Sequence, residues 1–246
     1  MKKYTDLFID FDDTLYDTHG NAILALAELY HDFHLDQHFL CLDDFTVPYW
    51  QANVELWHQY SLGQIERPYL MVERFRRPLQ AGFERLDVPH SERQHWQVSA
   101  EYCLQISDHF LDLCACKPGV VPGAHELMEY LRSKGYRMHL CSNGFHEVQY
   151  RKLRSSDLLK YFDHIILSED AGANKPSAQY FEYAFRQTGA SPESTLMIGD
   201  NFTTDILGAK ASGLDVLFFN REPQRFRPTE SVHFEVHSLP QIQQIL

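Results

Sequence analysis

The stretch Leu7-Phe8-Ile9-Asp10-Phe11-Asp12-Asp13-Thr14 decides how the rest of the chain is read. Leu7 to Ile9 is short, wholly apolar and followed at once by acids, with Asp10, Asp12, Asp13 and Asp17 inside eight residues. Such a run predicts a strand buried on both faces, as in parallel sheets. Downstream, from about Asn21 to Cys116, the period changes: Ile23, Leu26, Ala27, Tyr30 and Phe33 recur at helical spacing, as do Trp96, Cys103 and Phe110. Pro48, Pro68, Pro78 and Pro89, with Gly63 and Gly82, break this block into several helices of ordinary length.

After the turn Pro118-Gly119-Val120-Val121-Pro122-Gly123, helix and strand alternate strictly. Strands are expected at Arg137 to Cys141, His164 to Leu167, Thr195 to Ile198, Val216 to Phe219 and Val232 to Val236, with a helix opening at Pro176 and stopping at Gly189. Repeated strand-helix-strand units predict an α/β fold: a doubly wound parallel sheet with helices on both faces. The helical block leaves this sheet after its first strand and returns. The expected organisation is therefore a core from residues 1–16 and 117–246 with an inserted all-helical cap at 17–116.

Of 246 residues, 44% are hydrophobic and 23% charged, with 34 acids against 22 bases and a net charge of −12. The apolar fraction supports real cores. The acidity speaks against binding to nucleic acid, which needs clustered Lys and Arg, and against anionic membranes. No eighteen-residue stretch is free of charge, and the start is too acidic for a signal peptide, so the chain is expected in the cytoplasm, as a monomer or small homo-oligomer. Five cysteines, an odd number thinly spread, suit free packed thiols; Cys114 and Cys116 lack the usual zinc spacing.

Four polar clusters fall just past predicted strand ends: Asp10-Phe11-Asp12-Asp13-Thr14, Ser142-Asn143-Gly144, Asn174-Lys175-Pro176, and Gly199-Asp200 with Asp205. A parallel sheet brings its carboxyl ends together, so these clusters are expected in one cleft. Clustered carboxylates resist joint ionisation, and a hard divalent cation such as Mg²⁺ relieves them through oxygen ligands. Lys175 and the hydroxyl and N–H groups around Ser142 and Asn143 suit the oxygens of a phosphate.

In this order and setting the four clusters resemble the haloacid dehalogenase superfamily of phosphohydrolases. Its DxDxT motif is similar to Asp10, Asp12 and Thr14; its Ser or Thr to Ser142; its Lys to Lys175; its GDxxxxD to Gly199, Asp200 and Asp205. The resemblance implies that Asp10 is a nucleophile forming an aspartyl-phosphate and that Asp12 serves as acid and then base. It also implies that Mg²⁺ is held by Asp10, the main-chain carbonyl of Asp12, and Asp200, while Asp205 orients a bound water or Lys175. Asp12 favours phosphate transfer over carbon–halogen cleavage, since the dehalogenases proper differ at that position.

The run Ser168-Glu169-Asp170-Ala171-Gly172, then Tyr180-Phe181-Glu182-Tyr183-Ala184, with Tyr16 after Asp12-Asp13-Thr14-Leu15, resembles the noncanonical pyrimidine 5'-nucleotidase group. The expected substrate is a small phosphorylated metabolite, first a pyrimidine nucleoside monophosphate, alternatively a sugar phosphate, phosphoglycolate or flavin mononucleotide. Aromatics of the helical block, Tyr49, Trp50, Trp57, Tyr60, Tyr69, Phe75, Phe83, Trp96 and Tyr102, offer faces for a base or pack a bundle. Asp13 and Asp17 read as turn or cap residues, and the 14 histidines as surface or helical-block residues. A dehalogenase, a phospho-Asp receiver and a non-catalytic scaffold are the remaining rivals; a receiver carries its acidic pair on the first strand and no insertion.

Overall fold

The computed structural model describes residues 3–85 and 98–246, with the backbone alone for residues 83–85. Pro89 and Trp96 fall outside those residues, as does the side chain of Phe83. Two compact units emerge, one from Met1–His19 with Cys116–Leu246, the other Gly20–Ala115.

The first unit is built on six parallel strands, β1 (Asp6–Ile9), β2 (Arg137–Ser142), β3 (His164–Leu167), β4 (Thr195–Gly199), β5 (Asp215–Phe219) and β6 (Phe234–Val236), in the order β3-β2-β1-β4-β5-β6. Successive side chains of a strand point to opposite faces, and here both faces are buried. Leu7 and Ile9 join Leu140, Ile198 and Leu217 in one core, while Phe8 joins Cys141, Met197 and Phe218 in the other. Truncating a residue such as Phe8 to alanine costs about 3–5 kcal/mol. The chain runs outward from β1 to β2 and β3, then crosses back to β4 on the other side of β1. That reversal opens a crevice beyond the carboxyl end of β1, flanked by β2 and β4, which is where ligands of such sheets bind.

Helices cover the sheet: α5 (Ala124–Ser133), α6 (His146–Ser155) and α8 (Ala178–Thr188) are the long ones in this unit, after α1 (Thr18–Asp32), α2 (Leu42–Ser61), α3 (Arg67–Arg85) and α4 (Ala100–Cys116) earlier in the chain; the short α7 (Ser168–Ala171) lies between α6 and α8. α8 stops where expected, at Gly189 in the left-handed conformation, but it starts later than Pro176. Ser177 takes the N-cap by accepting the Gln179 N–H, which places Pro176 ahead of the helix instead of in its first turn.

The second unit packs Leu26, Leu29, Phe45, Tyr49, Phe75, Leu79, Ile106 and Phe110 into its own core. Pro48 and Pro78 lie inside α2 and α3 instead of ending them, because Phe45, Tyr49, Phe75 and Leu79 around them are fully buried and outweigh one lost hydrogen bond each. Tyr49 and Phe75 are therefore core residues with no face left for a base, whereas Tyr69 is 48% exposed.

One histidine contradicts the surface reading. His139 lies in the middle of β2 and is fully buried, its Nε2 2.9 Å from Asp6 Oδ1 and its Nδ1 3.1 Å from His164 Nδ1. Asp6 can only accept, so Nε2 carries the proton and Nδ1 accepts from His164. Burial lowers the His139 pKa and keeps the ring neutral.

Candidate active site

Asp10 follows β1 directly, and its N–H donates to Ile198 O at 2.9 Å, which extends the ladder by one residue and pins Asp10 at the sheet's edge. The Lys175 ammonium, itself 1% exposed, lies 2.7 Å from Asp10 Oδ1, 2.7 Å from Asp205 Oδ1 and 2.7 Å from Cys141 O. All three of its N–H donors are met. Burial works against the Lys175 charge, but Asp10 and Asp205 overcome it and hold the ammonium above its ordinary pKa. Burial raises the Asp10 carboxyl most, Lys175 pulls it back and Asp205 pushes it up again, leaving it at about 7.

Thr14 Oγ1 stands between two carboxylates, 3.0 Å from Asp10 Oδ2 and 3.2 Å from Asp200 Oδ1, and accepts the Asp200 N–H at 3.1 Å. Burial raises the Asp200 carboxyl first, and Asp10, Asp205 and Asp13 add to it. Carboxylate oxygens of Asp10, Asp200 and Asp205 all lie within 4.8 Å of one another. Three acids against one lysine leave excess negative charge in a buried place, and the all-oxygen donor set fits a hard divalent cation. Asp205 is the least free of the three, since Lys175 holds Oδ1 and the Asn201 N–H holds Oδ2 at 3.0 Å. A Cβ on Gly199 would lie 2.3 Å from Asp205 Oδ2, so glycine is required for this approach. Asp205 sits in a π-helical turn, Phe202–Leu207, whose N-cap Asn201 accepts from the N–H groups of Thr203 and Thr204.

Asp12 is arranged differently. Its carboxylate takes Lys152 Nζ at 2.7 Å and Thr18 Oγ1 at 2.5 Å on Oδ1, and the Gln149 amide on Oδ2. Burial alone raises its pKa, yet Lys152 and these hydrogen bonds bring it below the usual carboxylate value. Asp12 is thus held ionised, with its side chain turned toward α6 and absent from the three-carboxylate cluster. Neither Gln149 nor Lys152 is evident from the sequence as a site residue; the only signal is their three-residue spacing just after Ser142-Asn143-Gly144.

Ser142 ends β2, and its Oγ accepts the Gly144 N–H at 3.0 Å and the Gln149 amide at 2.7 Å. Asn143 is expected at the phosphate among the N–H groups around Ser142, and its side chain is engaged elsewhere: Nδ2 donates to Lys175 O at 2.9 Å and Oδ1 accepts the Lys175 N–H at 2.8 Å. That reciprocal pair clamps the two loops together and places Lys175. Asp13 adopts a left-handed conformation, φ 59°, and accepts the His19 N–H at 3.0 Å at the start of α1. Tyr16 is fully buried, stacked on Phe11 and donating to Lys117 O at 2.8 Å, so its hydroxyl serves the fold.

A sheet switch point carrying a buried acid cluster around one lysine defines a class of hydrolase, and comparison with known proteins identifies it. The family model described as haloacid dehalogenase-like hydrolase matches residues 7–213. The HAD-hydrolase YfnB of Bacillus subtilis is 30% identical over 100% of this chain and 97% of its own. A crystal structure of YfnB bound to magnesium superposes with a TM-score of 0.81 at 27% identity, covering 99% of both chains. The pyrimidine 5'-nucleotidases YjjG of Escherichia coli and PynA of Streptococcus pneumoniae are 29% and 28% identical, over 99% and 96% of this chain and 98% and 92% of theirs. The chain belongs to the haloacid dehalogenase-like hydrolases. Among the described residues no helix is long and apolar enough to cross a membrane.

Proposed function

We propose that the protein is a Mg²⁺-dependent phosphomonoester hydrolase acting through an aspartyl-phosphate on Asp10, with pyrimidine nucleoside monophosphates as its first substrate class. The observation that carries the chemistry is the buried group of Asp10, Asp200 and Asp205 around Lys175, 2.7 Å from two of them. Asp10 and Asp200, with the main-chain carbonyl of Asp12, are the residues for Mg²⁺. The ion, when bound, supplies positive charge to the transferring phosphoryl group.

The chain's own residues do the rest. An Asp10 oxygen forms a bond to phosphorus as the ester P–O bond breaks, and Asp12, having first taken up a proton from water, gives that proton to the departing alkoxide. Water then attacks the phosphoenzyme, Asp12 accepts a proton from it, and the P–O bond to Asp10 breaks to release inorganic phosphate. The pose of Asp12 seen here, ionised against Lys152, is the one suited to the second step. Lys175 holds the Asp10 carboxylate in place, and Ser142 Oγ–H is aimed at a phosphoryl oxygen.

The full-length likeness to YjjG and PynA supports the nucleotidase reading. Phosphate release from a panel of nucleoside monophosphates, sugar phosphates, phosphoglycolate and flavin mononucleotide, with Mg²⁺ or EDTA, tests it. Pyrimidine monophosphates are expected to lead, and EDTA to abolish release. A different leading substrate overturns the nucleotidase assignment, and undiminished release in EDTA overturns the role of the metal.

A further inference from the structure

Gln149 and Lys152 are given no bond to metal, phosphorus or leaving group in this reaction, yet both are buried, 0% and 8% exposed. They lie three residues apart on α6 and so share a face. Long polar side chains are rarely buried without partners, and the partners here are both reaction residues. Lys152 Nζ reaches Asp12 Oδ1 at 2.7 Å, while Gln149 Nε2 lies against Asp12 Oδ2 and 2.7 Å from Ser142 Oγ.

The orientation of the Gln149 amide follows from chemistry. An ionised carboxylate only accepts, so the group facing Asp12 is the NH₂. Ser142 Oγ then accepts from both Gln149 and the Gly144 N–H, and its own proton is left to donate outward. Gly144 belongs to the same arrangement, because a Cβ there would come within 1.8 Å of Gln149 Nε2. The amide oxygen, Gln149 Oε1, is buried with no partner among the described residues. An unmet buried acceptor is destabilising, so the residue is held here by its other contacts.

We propose that Gln149 and Lys152 are positioning residues for phosphoryl transfer: the Gln149 amide ties the acid–base carboxylate of Asp12 to the phosphate-binding hydroxyl of Ser142, and Lys152 fixes the carboxylate's other oxygen. The proposal rests on the aspartyl-phosphate reading given above. It predicts that losing either contact misplaces Asp12 in both steps, with the larger loss for substrates whose leaving group needs a proton.

The experiment compares kcat/KM for a nucleoside monophosphate, whose alkoxide needs a proton, with kcat/KM for p-nitrophenyl phosphate, whose phenolate does not. Wild type, Asp12→Asn, Gln149→Leu, Lys152→Met and Lys152→Arg are measured alongside Asp10→Asn. General acid–base catalysis contributes about 10²–10⁴-fold, so misplacing Asp12 is expected to lower the alkyl-to-aryl ratio at least about tenfold in Gln149→Leu and Lys152→Met, in the direction of Asp12→Asn. Lys152→Arg, which keeps the charge, is expected to restore most of the ratio. An unchanged ratio with both substrates slowed alike marks a merely structural role and overturns the proposal. Should Gln149→Leu fail to fold, the Lys152 pair decides alone. Retained turnover in Asp10→Asn defeats the nucleophile reading and this proposal with it, whereas an inactive Asp10→Asn beside an unchanged ratio defeats this proposal only.

Discussion

Replacing Lys175 with methionine removes a cation that lies 2.7 Å from each of two buried carboxylates, Asp10 and Asp205, and 2.7 Å from the Cys141 carbonyl. The side chain is close to the same length and apolar, so packing is largely kept and the electrostatic loss dominates. Removing one partner of a buried ion pair costs about 3–5 kcal/mol, because the charge left behind is unpaired. In a chain of this size each kcal/mol lowers the thermal midpoint by about 2–4 °C, so Lys175→Met in EDTA is expected to unfold roughly 6–20 °C below wild type. Two further measurements separate charge from packing. Adding Asp205→Asn removes one unpaired carboxylate and is expected to recover part of the loss, a non-additive result typical of groups in direct contact. Saturating Mg²⁺, which binds the folded cluster, is expected to raise the midpoint further, since a ligand at about 100 times its Kd adds about 2.7 kcal/mol. A Lys175→Met midpoint within about 2 °C of wild type in EDTA refutes the picture of a cation buried among excess negative charge.

Other consequences are simpler. Gly199→Ala puts a Cβ 2.3 Å from Asp205 Oδ2, so it is expected to cost about 1–3 kcal/mol in urea unfolding and to impair turnover more than stability. Asp200→Asn is expected to raise the Mg²⁺ concentration needed for half-maximal phosphate release. Acidification weakens the fold through the His139–Asp6 pair. Burial lowers the His139 pKa below its ordinary 6.5, so the unfolded chain takes up a proton there that the folded one refuses, and stability falls as pH drops below that value. Asp6 acts at lower pH: burial raises its pKa, but hydrogen bonds from His139, Thr5 and Arg137 bring it below 3.8, so its contribution is present above 3.8 and lost as pH falls through the lowered value. Thermal midpoints are expected to decline from about pH 7 to about pH 5, and His139→Gln to flatten that upper segment.

The strands are legible because a parallel sheet buried on both faces writes itself as short apolar runs, and β1, β4 and β5 show it plainly. Asp10, Ser142 and Asp200 are legible because each ends or directly follows a strand, whereas Lys175 comes only after α7 and Asp205 lies inside the π-helical turn. Gln149 and Lys152 are not legible, since a glutamine and a lysine three apart on a helix resemble a solvated face until Asp12, 137 and 140 residues away, is seen against them. The role of His139 is hidden in the sequence for a related reason: its partner Asp6 comes from the neighbouring strand, 133 residues distant. By its position beside Ser142, Asn143 reads as part of the phosphate-binding cluster. Its clamp on the Lys175 backbone depends on loop geometry that spacing does not reveal. By propensity Pro48 and Pro78 are helix breaks, and the aromatic core around them overrides that propensity.

The most direct test of the central claim is to trap the phosphoenzyme. Acid quenching during turnover of a preferred substrate with Mg²⁺, followed by borohydride reduction and peptide mass analysis, is expected to find the phosphoryl-derived modification at Asp10, and no turnover in Asp10→Asn. Modification at another residue, or phosphate release by Asp10→Asn at the wild-type rate, contradicts the account.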